Sequence, residues 1–99
     1  MFFVEETYTR PNLDAQFWTA RSQYKTDVAN AARAAGDLIS QQLGVTNDPL
    51  VAKYRAVWRD RAAYKRWVED DPITQQINQM IAEYHSAQGI TAVRVNAGD

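Results

Sequence analysis

The chain has 99 residues, 45% hydrophobic and 11% aromatic, which is too apolar a composition for intrinsic disorder and the right length for a single domain over residues 1–99. A net charge of -1 supplies no overall field that would draw the protein onto nucleic acid or a membrane surface. With no Cys and a single His, disulfides, thiolate chemistry, cysteine metal centres and multi-histidine metal centres are all excluded.

In chain order, Phe2–Thr9 reads as a strand, because Phe2, Phe3 and Val4 favour extended backbone and Arg10-Pro11-Asn12 stops it. The apolar start ends at Glu5 and Glu6 without a basic flank or a long apolar run, so no targeting segment is expected. No stretch approaches the roughly 20 apolar residues of a membrane-spanning helix. The expected location is therefore cytoplasmic.

Residues 12–35 are predicted as one long helix, capped by Asn12 and closed by Gly36. Its apolar stripe runs through Leu13, Phe17, Ala20, Tyr24, Val28, Ala31 and Ala35. Leu38–Leu43 fits two readings. Ile39, Gln41 and Leu43 alternate with Ser40, Gln42 and Gly44 as in a half-buried strand, while Gln and Leu would also continue a helix. Thr46-Asn47-Asp48-Pro49 is a turn, and Leu50–Trp58 is the next strand, with Leu50, Ala52, Tyr54, Ala56 and Trp58 on one face and Val51, Lys53, Arg55 and Val57 on the other.

Residues 60–88 form a broken helical segment. Ala63, Tyr64, Trp67 and Val68 mark its first part, with Tyr64 and Trp67 expected between helix and sheet. Asp71 caps a restart at Pro72, where Ile73, Ile77, Met80, Ile81 and Tyr84 make the apolar stripe. Gly89 closes the helix, Ile90–Val95 is the last strand, and Asn96–Asp99 is a polar tail. The resulting β-α-β-β-α-β order predicts an α+β ferredoxin-like domain, a four-stranded antiparallel sheet with its helices on one face. The other face is left bare.

Three segments carry a family resemblance. They are the opening strand Phe2-Phe-Val-Glu-Glu-Thr-Tyr8, the strand-to-helix run Lys53-Tyr-Arg-Ala-Val-Trp-Arg-Asp-Arg-Ala-Ala-Tyr-Lys-Arg-Trp67, and the Pro-started helix at Asp71-Pro72-Ile73. In this pattern of types the chain resembles the dimeric α+β barrel superfamily, and within it the antibiotic-biosynthesis-monooxygenase-like domains. The resemblance implies a homodimer paired through the bare sheet faces as a shared barrel. It also implies a small-molecule-binding protein. The enzymatic form of that reading is a cofactor-independent oxygenase acting on an aromatic or polyketide-like substrate, with no bound cofactor or metal. The haem-degrading branch uses an Asn on the first strand, a Trp and a His. Here the first strand offers Glu6 and Thr7, Trp58 or Trp67 would supply the Trp, and His85 lies late in the chain. The alternative is a non-catalytic dimer module with a structural or protein-interaction role.

The candidate ligand-binding residues are Glu6, Tyr8, Arg55, Trp58, His85 and Arg94. Arg55, Arg94 and one of Glu5 or Glu6 are expected to meet on a single sheet face, where they would grip a small aromatic or anionic ligand or else form salt bridges across the dimer. Tyr8, Tyr54 and Trp58 would line the same sheet or fill the core. His85 would act as a base near neutral pH or complement the helix dipole. Glu69, Asp70 and Asp71 lack calcium-loop spacing and read as a cap with a solvated edge. RNA-recognition motifs share this strand order, and Lys53, Arg55, Arg59, Arg61, Lys65 and Arg66 lie among aromatics. Nucleic acid is nonetheless set aside, since the strand lacks the motif's glycines and the net charge is slightly negative.

Overall fold

The computed structural model describes residues 1–99, the side chain of Val45 excepted. Its elements are β1 (Phe2–Thr9), α1 (Gln23–Ala34), β2 (Leu38–Val45), β3 (Val51–Trp58), α2 (Arg61–Tyr64) followed by a π-helical turn (Lys65–Glu69), α3 (Pro72–Ala87) and β4 (Thr91–Gly98). The strands form one antiparallel sheet in the order β2-β3-β1-β4. This is the ferredoxin-like arrangement expected from the order of elements.

The first helix is half as long as periodicity suggests. Asn12 does accept hydrogen bonds at 3.0 Å from the N–H groups of both Asp14 and Ala15, as a cap would, but the turn does not propagate. The N–H of Gln16 donates instead to Gln88 and that of Trp18 to His85, both across the molecule. Arg10 holds the carbonyls of Leu13 and Ala15 and stacks on Phe17. Backbone donors that a helix would use internally are thus taken by distant side chains, and backbone acceptors by the nearby Arg10. Leu13, Phe17 and Ala20 lie off the helix, which starts at the Ser22 cap. Its buried stripe is also turned by one residue. Ala32 is fully buried and Ala29 packs on the core, whereas Ala31 and Ala35 are exposed.

Helix α3 shows the same rotation. Ile77 and Ile81 face inward in part, but Ile73 and Met80 are about half exposed, and the buried positions are Thr74 and His85. Asp71 and Pro72 open the helix as expected. Gly36 and Gly89 stand just past the ends of α1 and α3 with φ of +76° and +74°, the left-handed conformation that glycine adopts without cost. β2 is a strand throughout, with a bulge between Leu38 and Ser40. The bulge puts Leu38 into the core and leaves Ile39 outside, correcting the simple alternation. β4 runs on to Gly98, so most of the expected polar tail is strand.

The core lies between helices and sheet at one end: Phe2, Val4, Leu38, Ala56 and Trp58 from the strands against Ala32, Ala63 and Tyr64. Tyr64 packs on Phe2 at 5.1 Å and on Trp58 at 5.8 Å between ring centres. Asp37, 3% exposed, staples this end together. Its Oδ2 accepts from Trp67 at 2.7 Å and Arg66 at 2.6 Å, and its Oδ1 faces the Arg59 guanidinium at 3.0 Å. The Trp67 bond above all, then Arg66, holds the Asp37 carboxyl below its usual range.

Candidate functional site

The site begins with sheet register. Glu6 on β1 is paired with Tyr54 of β3 on one side and Arg94 of β4 on the other, all on the helix-covered face. In the next row toward the far end Tyr8 stands between Ala52 and Ala92. Small neighbours leave room over a polar row where the other half of the sheet is filled by Phe2 and Trp58. The Tyr8 hydroxyl donates to Glu6 Oε2 at 2.6 Å, and Arg94 Nη1 lies 3.6 Å from Glu6 Oε1. Tyr54 accepts a bond from Gln41 Nε2 at 2.8 Å. Burial, and then the bond to Glu6, raise the Tyr8 hydroxyl far above the ordinary phenol range, so it stays protonated and donating at neutral pH. Burial also raises Tyr54.

The helices close over this row with polar side chains. Lys25 of α1 donates to Asn78 Oδ1 of α3 at 2.6 Å, and its ammonium feels the charges of both Glu6 and Arg94. Burial lowers the Lys25 pKa. His85, 6% exposed, packs on Tyr8 at 5.0 Å between rings. Its Nε2 accepts the Trp18 N–H at 3.0 Å, so the imidazole is neutral with its proton on Nδ1. Burial pushes its pKa down, against the pull of Glu6. His85 is therefore not a cation compensating a helix dipole. Further along, Tyr24 and Thr74 both donate to the Asp71 carboxylate, tying α1 to the start of α3.

Beside β4 this layer opens to a cavity of about 320 Å³, walled by Arg94 and Asn96 of the strand, Arg61 and Tyr64 of α2, and Gln75 and Asn78 of α3, with Glu69 at its rim. Among the described residues no group of His, Asp and Glu is placed to hold a metal ion.

Of the six residues expected from sequence, four come together here: Glu6, Tyr8, His85 and Arg94. Arg55 does not. It sits on the opposite, open face, where it pairs with Glu5 at 2.7 Å beside Lys53. The expected meeting of Arg55 with Arg94 fails because they oppose consecutive residues of β1, which point to opposite faces. Trp58 shares the face of Tyr8 but lies in the core at the other end, 4% exposed. Lys25, Tyr54 and Asn78 complete the site and were not among the candidates. Lys25 was detectable, since it stands four and seven residues before Ala29 and Ala32 on one helix face.

The six clustered cations are each matched to a carboxylate. Lys53 and Arg55 face Glu5, Arg59 and Arg66 face Asp37, Arg61 faces Glu69 and Lys65 faces Asp70. Tyr54, Trp58, Tyr64 and Trp67 are turned to the helix side, so they do not form the exposed stacking platform that RNA-recognition motifs present. Among the described residues no helix is long and apolar enough to cross a membrane.

No protein-family model matches the chain, and no curated protein matches it in sequence. Solved structures do resemble it. A protein from Deinococcus radiodurans described as an antibiotic biosynthesis monooxygenase superposes with a TM-score of 0.61 at 10% identity, covering 100% of this chain and 92% of that one. The ActVA-Orf6 monooxygenase of Streptomyces coelicolor, solved with nanaomycin D, gives 0.59 at 14% identity over 99% of this chain and 88% of that one. SnoaB of Streptomyces nogalater, a cofactor-independent oxygenase, gives 0.56 at 13% identity over 99% and 91%. The α+β ferredoxin-like fold of this chain is thus the fold of the antibiotic-biosynthesis-monooxygenase structures.

Proposed function

We propose that the chain binds a small molecule in the layer between its helices and sheet, as a homodimer paired through the open sheet face. One observation carries the ligand reading: Glu6, bridged by Tyr8 and Arg94, forms a polar row inside the layer that should be driest, and that row opens to the cavity beside β4. Buried polar groups cost stability unless they are matched, and a matched set beside a cavity is the usual form of a binding site. The dimer reading rests on the open face, where Phe3, Val93 and Val95 are 48%, 62% and 58% exposed. Apolar groups exposed together on a flat sheet favour a second copy as cover.

The enzymatic form of the reading is cofactor-independent oxygenation of an aromatic alcohol, supported by the oxygenases that share the fold. In it Glu6 takes the phenolic proton while Arg94 faces the resulting phenolate, and dioxygen is the oxidant: one oxygen atom replaces hydrogen on a ring carbon to give a quinone, the O–O bond breaks, and the other oxygen atom leaves as water. Tyr8 keeps Glu6 oriented. The test pairs native mass spectrometry at tens of micromolar protein with calorimetric titration of naphthols and hydroxynaphthoquinones, as substrate-like and product-like probes, and measurement of oxygen uptake on the naphthols. A dimer that binds and consumes oxygen supports the whole reading. Binding without uptake reduces it to a binding protein. A monomer that binds none of the panel overturns it.

A further inference from the structure

We infer that the cleft beside β4 is an oxyanion site, and that it takes a small ring-bearing carboxylic acid whose carboxylate lies between Arg61 and Arg94. This rests on the small-molecule reading above and adds the charge and size of the ligand. The cleft's donors outnumber its acceptors. Arg61 donates no side-chain hydrogen bond among the described residues, and its contact with Glu69 spans 3.9 Å. Arg94 reaches Glu6 only at 3.6 Å and donates through Nε to Asn96 Oδ1 at 3.3 Å. A guanidinium carries five N–H donors, so both retain unused ones.

The amides point the same way. Asn78 uses its acceptor on Lys25, and Asn96 uses its acceptor on Arg94. Lysine and arginine only donate, so these amide orientations are chemically forced: each Asn oxygen is engaged by a cation and neither NH₂ group donates a hydrogen bond among the described residues. Gln75 is the exception. It donates to the Val68 carbonyl and keeps an acceptor free. Glu69 is the one carboxylate on the rim, 41% exposed at its side chain and held by a long contact that an incoming anion can displace.

Both cations are also fixed in direction. Arg61 lies 5.4 Å from the centre of the Phe2 ring and Arg94 lies 5.4 Å from that of Tyr64, and the two rings touch. Each guanidinium thus lies over an aromatic ring with N–H donors to spare, and a planar, two-oxygen partner is the one that such a group binds best. Tyr64 borders the cleft only through the small part of its ring that Phe2, Trp58 and Arg94 leave uncovered. The volume of about 320 Å³ is near the lower end of the roughly 300–1,000 Å³ range of ligand pockets, which suits a one- or two-ring acid better than a polycyclic one.

The experiment compares 2-naphthoate with the neutral isostere 2-naphthamide, followed by amide and arginine side-chain NMR shifts. Naphthoate is expected to bind at least about tenfold tighter and to shift Arg61, Arg94 and Asn78. Arg61→Gln, at an exposed side chain, is expected to cut naphthoate affinity about tenfold and leave naphthamide unchanged. Glu69→Gln is expected to strengthen naphthoate binding by removing the competing carboxylate. If both compounds bind the cleft equally, or Arg61→Gln leaves naphthoate binding intact, the oxyanion site is overturned while the small-molecule reading stands. If neither compound shifts any cleft resonance, both fall.

Discussion

Glu5 and Glu6 are neighbours on one strand, each facing an arginine on an adjacent strand, yet they belong to different environments. Glu5 pairs with Arg55 on the open face, where the two side chains are 37% and 59% exposed, and Lys53 joins them. Glu6 pairs with Arg94 on the helix side at 22% and 39%, with Tyr8 donating to it and Lys25 above. The chemistry is the same and the cover differs. An exposed ion pair exchanges its partners for water at little cost, whereas a covered one loses solvation that only its neighbours can replace. Cover, rather than residue type, turns one of these pairs into a candidate site.

The contrast between faces has a large consequence at the packed end of the sheet. Trp58→Ala on the helix side removes a core ring and is expected to destabilise the fold by about 3–5 kcal/mol, read by urea unfolding. On the open face, the double substitution Val93→Lys and Val95→Lys is expected to leave monomer stability nearly unchanged. It should weaken self-association by at least about a hundredfold, because it places charge where apolar surface is to be buried. Sedimentation across a concentration series reads this directly, and an unchanged association constant would remove the open face as the dimer contact.

The two ion pairs give the next test. Arg94→Gln leaves Glu6 covered without its cation and is expected to cost about 1–2 kcal/mol. In the association-deficient Val93→Lys, Val95→Lys background, where the open face is solvated, Arg55→Gln is expected to leave the melting temperature unchanged within error. Equal losses from the two would show that cover does not distinguish them.

The smallest effect is that of pH at His85. Its folded pKa lies below the ordinary 6.5, so below pH 6.5 the unfolded chain binds a proton that the folded chain resists. Its contribution to stability is therefore complete above pH 6.5 and is lost as pH falls toward the folded value. Protonation also removes the acceptor for the Trp18 N–H. Thermal melts from pH 7.5 to 5 should show a decline that His85→Gln flattens. Glu5, Asp37, Asp60 and Asp71 are all held below their usual range and lose their contributions only at more acid pH.

Much of the fold was legible because strands and turns declare themselves locally. Phe2–Thr9 matches β1 residue for residue, and the alternation from Val51 to Trp58 assigns both faces of β3 correctly. The residues that the fold groups as the candidate site were legible in part. Four of its residues were among the candidates, but Arg55 was placed with them because faces on adjacent strands depend on register, which no single strand encodes. Helix faces were off by one residue for a related reason. A stripe chosen for maximum apolarity picks Ala31, Ile73 and Met80, whereas the interior takes Ala32 into the apolar core and Thr74, Asn78 and His85 into a polar layer.

Local preference thus determined the order of elements, the turns at Gly36, Asp48–Pro49 and Gly89, and the restart of the chain at Asp71-Pro72. These follow from backbone sterics and capping that involve only a few adjacent residues. The tertiary structure alone decided that residues 12–22 leave the helix, since their backbone groups bond to His85 and Gln88 about seventy positions away. It alone decided which of two adjacent glutamates lies under the helices. Both outcomes depend on contacts between distant parts of the chain, and only the assembled fold brings those parts together.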